Sequence, residues 1–206
     1  MFISLEGVDG SGKSSLAATL ESYINLHYPN RNVIRVKAPG QTKVGLKIRE
    51  LLLSDSTVFT AETELLLFTA DLNELCHQII KPALAHPDNI VICDRFVHSA
   101  IVYQGYGRGV DKEWVLEVLE CVSKQVKPNL TIFLDLDVEE SQRRINKRGT
   151  GTDRIESASL EFWAKVRQGF KDLHRYNQDT SILIDASQDI DTVSNLAITA
   201  IDKLLR

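Results

Sequence analysis

Gly7-Val8-Asp9-Gly10-Ser11-Gly12-Lys13-Ser14 fits the pattern Gly-x-x-x-x-Gly-Lys-Ser/Thr at every fixed position. It stands directly behind the apolar run Phe2-Ile3-Ser4-Leu5 and directly ahead of a helix-like stretch. The glycines let the main chain curl until successive N–H groups point inward at phosphate oxygens. The helix that follows aims the positive end of its dipole at the same point. In such a loop Lys13 reaches the outer phosphates of a nucleoside triphosphate, and the Ser14 hydroxyl holds a magnesium ion. The strand–loop–helix context argues against a glycine-rich turn that binds nothing. The loop by itself leaves open a kinase, an ATPase or a GTP switch.

The 206 residues suit one domain, and a 43% apolar share is enough for a substantial core. The formal charge of −4 supplies no general field for nucleic acid, so an anionic substrate needs a local cluster of Arg and Lys. Cys76, Cys93 and Cys121 have no metal-like spacing and read as reduced thiols of a cytosolic protein. Met1 leads straight into the first strand, so no signal peptide is expected, and no apolar run is long enough for a membrane span.

Short, nearly continuous apolar runs at Phe2–Leu5, Asn32–Val36, Ile90–Cys93, Leu130–Leu134 and Ser181–Ile184 predict strands covered on both faces. Helical patterns separate them at Lys13–His27, Lys43–Leu53, Ala61–Ala85, Lys112–Lys124, Glu139–Lys147, Leu160–Tyr176 and Thr192–Leu205, with Pro82 a kink or stop near the end of the third. The alternation predicts an α/β fold, a parallel sheet with helices on both faces. Ligands in such a sheet gather at the carboxyl ends of its strands.

Polar groups after the strands therefore carry the chemistry. Asp94 ends the third run and is placed to share the magnesium of Ser14, with Arg95 beside it for a second phosphate. Lys37-Ala38-Pro39-Gly40 turns into a helix that returns Arg49 toward the sheet top. The basic stretch from Arg143 and Arg144 through Arg148 to Arg154 starts helical and becomes a glycine-bearing loop, as a cationic lid over transferring phosphates would. Tyr103 and Gln104 are candidates for a base edge and a sugar. His98 is not expected to act as a base, because phosphoryl transfer relies on positioning and charge stabilisation. Trp114 and Trp163 read as core.

Together these residues resemble the thymidylate kinase family over nearly the whole chain. The phosphate loop with Asp9, Lys37-Ala38-Pro39-Gly40 leading to Arg49, Asp94-Arg95 through Ser99 to Tyr103-Gln104-Gly105, and Asp153-Arg154-Ile155-Glu156 followed by Phe162 and Arg167 carry the likeness. The resemblance implies a P-loop NTPase fold with five parallel strands, a lid at about 143–156, a cytoplasmic homodimer with the long Ala61–Ala85 helix in its interface, and transfer of the γ-phosphoryl of ATP to dTMP. Gly7, Val8, Asp9, Gly10, Ser11, Gly12, Lys13 and Ser14 would cradle ATP, with Arg144 near the adenine and Arg148 in the lid. Asp9 would bind the sugar 3′-hydroxyl of the monophosphate, Arg49 and Arg95 its phosphate, and Phe68 the base face. Ser99 and Gln104 would meet the base or its surroundings, and Tyr103 would exclude a 2′-hydroxyl. Lys13, Arg95 and Arg154 would stabilise the moving phosphoryl group, and Ser14 and Asp94 would hold magnesium. Gly10 and the lid arginine match the bacterial branch that places this charge in the lid.

Two positions depart from the family pattern. Ala38 stands where a carboxylate is usual, and Leu72 stands where an Arg normally hydrogen-bonds the thymine oxygen. A lost charged hydrogen bond is worth about 1.5–3 kcal/mol. Leu72 therefore predicts weak dTMP binding or another or modified pyrimidine, unless a donor such as Asn73 compensates. A non-catalytic nucleotide-binding module is the alternative of another class. It lacks an Asn-Lys-x-Asp motif, since Asn146-Lys147-Arg148-Gly149 has no Asp, and it gives Arg49, Arg95 and Gln104 no task.

Overall fold

The computed structural model describes residues 1–54, 56–147, 149 and 153–205. Strand β1 (Phe2–Gly7) is buried at every residue, and helix α1 (Lys13–His27) follows it across the phosphate loop. Then come β2 (Asn32–Lys37), α2 (Lys43–Leu53), α3 (Ala61–Leu75), α4 (Lys81–Leu84), β3 (Asn89–Asp94), α5 (Val97–Ala100) and α6 (Lys112–Ser123). The chain closes with β4 (Leu130–Asp135), α7 (Val138–Lys147), α8 (Leu160–Tyr176), β5 (Ser181–Asp185) and α9 (Ile190–Leu205). Thr42, Thr60, Asp111 and Ser159 cap α2, α3, α6 and α8 with side-chain oxygens on otherwise unpaired N–H groups.

Among the described residues the sheet has five strands in the order β2-β3-β1-β4-β5, all pairs parallel. Alternation along each central strand builds a core on both faces. Ile3, Leu5, Ile90 and Ile92 join the cluster under α1, α8 and α9, while Phe2, Val91 and Cys93 join the one under α3 and α6. The chain runs from β1 outward to β2, returns by β3, and then crosses to β4 on the other side of β1. That reversal opens a crevice at the carboxyl ends of β1 and β3, where Leu5 and Lys37 are both in register with Asp94.

The predicted strands are present, each extended to the polar residue that follows it. The predicted Ala61–Ala85 helix is divided: a π-helical turn at Cys76–Ile80 separates α3 from α4, just before Pro82. The wider turn accommodates a residue with no N–H for the ordinary helical bond. The segment that carries Ser99, Tyr103 and Gln104 is helical as well, α5 running into a π-helical turn at Ile101–Gly107. Both tryptophans pack in the core, Trp163 fully buried and Trp114 partly. No helix among the described residues is long and apolar enough to cross a membrane.

At Gly7 φ is 148°, and an added Cβ would stand 2.6 Å from the main-chain oxygen of Leu134 on β4. Gly7→Ala is therefore expected to lower stability by roughly 1–3 kcal/mol, read by denaturant titration; an unchanged midpoint would show that the loop tolerates a Cβ there.

Candidate active site

The crevice is a cleft of about 510 Å³ at the sheet rim. The phosphate loop forms one end of it, through Asp9, Gly10, Gly12, Lys13 and Ser14, with Arg144 alongside. The other end takes Arg49, Phe68 and Leu72, and Asp94, Arg95, Ser99 and Tyr103 stand between. Residues placed far apart in the sequence thus share one space.

Lys13 is buried, and its Nζ donates to the main-chain oxygens of Gly7 (3.2 Å) and Val8 (2.9 Å). Burial, then the neighbouring charge of Arg95, pulls its pKa down to about 8. Ser14 Oγ donates to Asp94 Oδ2 at 2.6 Å, so the two groups assigned to a cation are in contact. Two hard oxygen donors suit magnesium, which keeps several waters and completes its shell with substrate phosphate.

Arg95 occupies the middle of the cleft. Its backbone has φ 72°, a left-handed conformation that is uncommon for a residue with a side chain and that collects at functional sites. Nη2 donates to Asp9 Oδ1 at 2.7 Å, while Nη1 donates to Gly7 O and Ser99 Oγ, both at 3.0 Å. The guanidinium also lies over the Tyr103 ring, 5.0 Å from its centre. These bonds engage three of the five guanidinium N–H groups, and the Tyr103 hydroxyl is a further partner. Burial opposes the charge, but Asp9, Tyr103 and Asp94 outweigh it and hold the pKa above the usual guanidinium value.

The part of the cleft lined by Arg49 rests on the turn after β2. Arg49 Nη1 donates to Pro39 O at 3.0 Å, and the Ala38–Pro39 bond is cis. Gly40 has φ 107°, and a Cβ there would meet Arg49 Cδ at 2.7 Å, so the turn requires glycine to let the arginine pass. Gly40 N donates to Asp71 Oδ1 at 2.9 Å. Burial, only partly offset by that bond and by Arg49, raises the Asp71 pKa to about 6. Asp71 thus supplies a carboxylate beside the turn although position 38 is Ala.

Several assigned residues are placed differently from the sequence reading. Gln104 is fully buried and does not line the cleft; its Nε2 donates to Glu64 Oε1 at 2.9 Å. Arg154 is also outside the lining, its Nε on Leu52 O at 2.9 Å and its Nη2 on Glu64 Oε2. Arg108 completes the cluster, 3.1 Å from Glu64. Asn73 accepts from Gln125 at 2.8 Å and does not line the cleft, so the suggested substitute for the missing arginine lies elsewhere. Arg144 donates to Glu140 at 2.7 Å and edges the loop at Gly10. Gly7, Val8 and Ser11 support the loop from behind the cleft wall. Arg148, in the predicted lid, lies outside the described residues. His98 is buried, and burial pulls its pKa down to about 4.

Sequence reasoning missed Glu6, Glu64 and Asp71. Glu6 is fully buried in β1 and accepts from Ser4 Oγ, Phe96 N and Ser99 Oγ at 3.0, 2.9 and 2.5 Å. Burial raises its pKa to about 7 against those bonds. The available signal was a carboxylate at the end of an otherwise apolar strand.

The family model described as Thymidylate kinase matches residues 5–197. A thymidylate kinase of Ehrlichia ruminantium (strain Gardel) is 40% identical over 204 residues, covering 98% of this chain and 97% of that one. One from Chlorobaculum tepidum is 38% identical over 212 residues, covering 99% and 98%. The crystal structure of thymidylate kinase from Ehrlichia chaffeensis superposes with a TM-score of 0.78 at 32% identity, covering 98% of each chain.

The raised pKa of Glu6 has a thermodynamic consequence. Its folded value of about 7 exceeds the ordinary 4.5, so its contribution is full below 4.5 and is lost as pH rises through 7. Glu6→Gln has no such loss. The variant is expected to gain stability relative to the parent as pH rises from 5 to 8, by up to about 3 kcal/mol. Paired denaturant titrations across that range measure it, and parallel pH profiles would remove the effect.

Proposed function

The chain belongs to the thymidylate kinase family, and on that membership and the geometry of the cleft we infer that it transfers the γ-phosphoryl group of ATP to dTMP, giving dTDP and ADP. The observation that carries this reading is Arg95, which touches the phosphate loop at Gly7 and Asp9 and shares the cleft with Arg49. A triphosphate cupped by main-chain amides and a monophosphate clasped by two guanidinium groups thereby come end to end. A simple nucleotide switch has no use for the second anion site.

In the proposed assignment Gly7 through Ser14 bind the ATP phosphates, with Arg144 toward the adenine and Arg148 in the lid. Arg49 and Arg95 bind the dTMP phosphate, Asp9 the sugar hydroxyl, Phe68 the base, and Tyr103 fills the place of a 2′-hydroxyl. Ser14 and Asp94 would hold Mg2+. When bound, the metal neutralises charge on the phosphate oxygens. The protein's part is to align the two nucleotides in line, exclude water and stabilise the moving charge with Lys13 and Arg95. One domain with a lid at about 143–156 and a cytoplasmic homodimer through the face of α3 complete the reading; Leu66 on that helix is 50% exposed.

Arg154 is proposed as the lid arginine that meets the transferring phosphoryl group. For this it must leave Glu64, which retains Arg108 and Gln104. A second reading keeps the fold and changes the base. Leu72 is 2% exposed and Ala38 is also buried, both line the cleft, and Gln104 and Asn73 are engaged elsewhere. The base end therefore favours apolar contact over charged hydrogen bonding, which fits another or modified pyrimidine.

A coupled assay with ATP, magnesium and a panel of monophosphates tests the activity. Transfer to dTMP is expected; nucleotide binding without transfer to any acceptor would promote the non-catalytic module, and faster transfer to another pyrimidine would promote the second reading. Arg154→Ala is expected to lower turnover by about 10³–10⁵-fold with nucleotide affinity little changed. A loss of only a few-fold would assign Arg154 to the Glu64 cluster alone.

A further inference from the structure

Glu6 makes no contact with the space that holds substrates, yet it fixes the strained segment that presents Arg95. The N–H of Arg95 donates to Leu5 O at 3.0 Å, and the next N–H, of Phe96, donates to Glu6 Oε1 at 2.9 Å. Two successive residues of β1 thus hold both sides of a left-handed residue. The side chain is held by the same carboxylate. Arg95 Nη1 donates to Ser99 Oγ at 3.0 Å, and the Ser99 hydroxyl in turn donates a hydrogen bond to Glu6 Oε2 at 2.5 Å.

We propose that Glu6 is a positioning residue for the acceptor site, acting through Ser99 and the Phe96 amide to aim Arg95 at the monophosphate. The inference rests on the kinase reading of the cleft. Three donors converge on Glu6: the hydroxyls of Ser4 and Ser99 and the amide of Phe96. The ionised carboxylate accepts at both oxygens and satisfies them all. A glutamine of the same shape turns one oxygen into a donor, which faces either the Phe96 N–H or the Ser99 hydroxyl. In the second case Ser99 can no longer both accept from Arg95 and donate to residue 6. The carboxylate is also poorly explained as a stability device. Among the described residues no close ion pair to it is formed, since His98 Nδ1 at 3.9 Å belongs to a ring that burial keeps neutral, and burial makes the charged form of Glu6 costly at neutral pH. A group that the fold accommodates at a cost is better explained by what it orients.

The test is steady-state kinetics of the full chain with ATP, magnesium and dTMP, comparing the parent with Glu6→Gln, Ser99→Ala and the double variant. Glu6→Gln is expected to raise the KM for dTMP at least about tenfold and to leave the KM for ATP within about twofold. Ser99→Ala should move the same parameter in the same direction, and the double variant should be no worse than Glu6→Gln, because both act on one chain of bonds. Equal shifts in both KM values, no shift in either, or independent multiplying effects in the double variant would overturn the proposal. A merely structural role would not separate the two substrates, and thermal unfolding of each variant identifies any that is poorly folded. If the parent transfers phosphate to dTMP and the variants behave like it, this inference fails alone. If the parent transfers nothing to dTMP, the activity reading fails and this inference with it.

Discussion

The site depends on one constraint: a buried guanidinium must be held rigidly between two anion-binding regions without being neutralised by either. Arg95 meets it by dividing its donors. Asp9 takes one Nη2 proton, and Gly7 O and Ser99 Oγ take the two on Nη1. A full bidentate pair with one carboxylate would hold the side chain as well but would consume the edge that a phosphate needs. Sharing the load among a carboxylate, a carbonyl and a hydroxyl leaves net positive charge in the cleft. In a chain of formal charge −4, this local arrangement replaces any general cationic field. The left-handed backbone at Arg95 follows from the same demand, since the residue leaves β3 and must turn at once to face the phosphate loop.

The phosphate loop and the strand–helix alternation were legible because each is a local signal. The loop has four fixed positions, and the strands carry short apolar runs bounded by polar residues. The pairing of Ser14 with Asp94 followed from placing Asp94 at the end of a strand beside the phosphate loop that carries Ser14. The helical character of Val97–Gly107 was not legible. Polar and aromatic residues mix there with Gly105 and Gly107, and the π-helical turn breaks the ordinary 3.6-residue period. The break at Cys76–Ile80 was half legible, since Pro82 marked the place but could not say whether the helix would end or widen.

The carboxylates were the least legible part, because their partners are distant in sequence. Glu64 lies 40 residues from Gln104 and 90 from Arg154, yet gathers both with Arg108. Desolvation alone would raise its pKa, but hydrogen bonds from Gln104 and Arg154 and the charge of Arg108 bring it below the ordinary value. A buried anion of this kind recruits whatever cation the fold brings near, since leaving it unpaired costs several kcal/mol. Nothing in the sequence signalled that Glu64 would engage Gln104 and Arg154.

Ala38 and Leu72 show the same logic in reverse. Both depart from the family pattern, both line the cleft, and both belong to the apolar cluster of α3 and β3. No buried charge stands at either position, so neither calls for a partner of opposite sign. Asp71 keeps its carboxylate, turned onto Gly40 N instead of the base end, so the turn that carries Arg49 retains its anchor. On the proposed assignment, phosphate recognition and base recognition are thus separable: charge is kept at Arg49 and Arg95, while the base end presents the apolar side chains of Ala38 and Leu72.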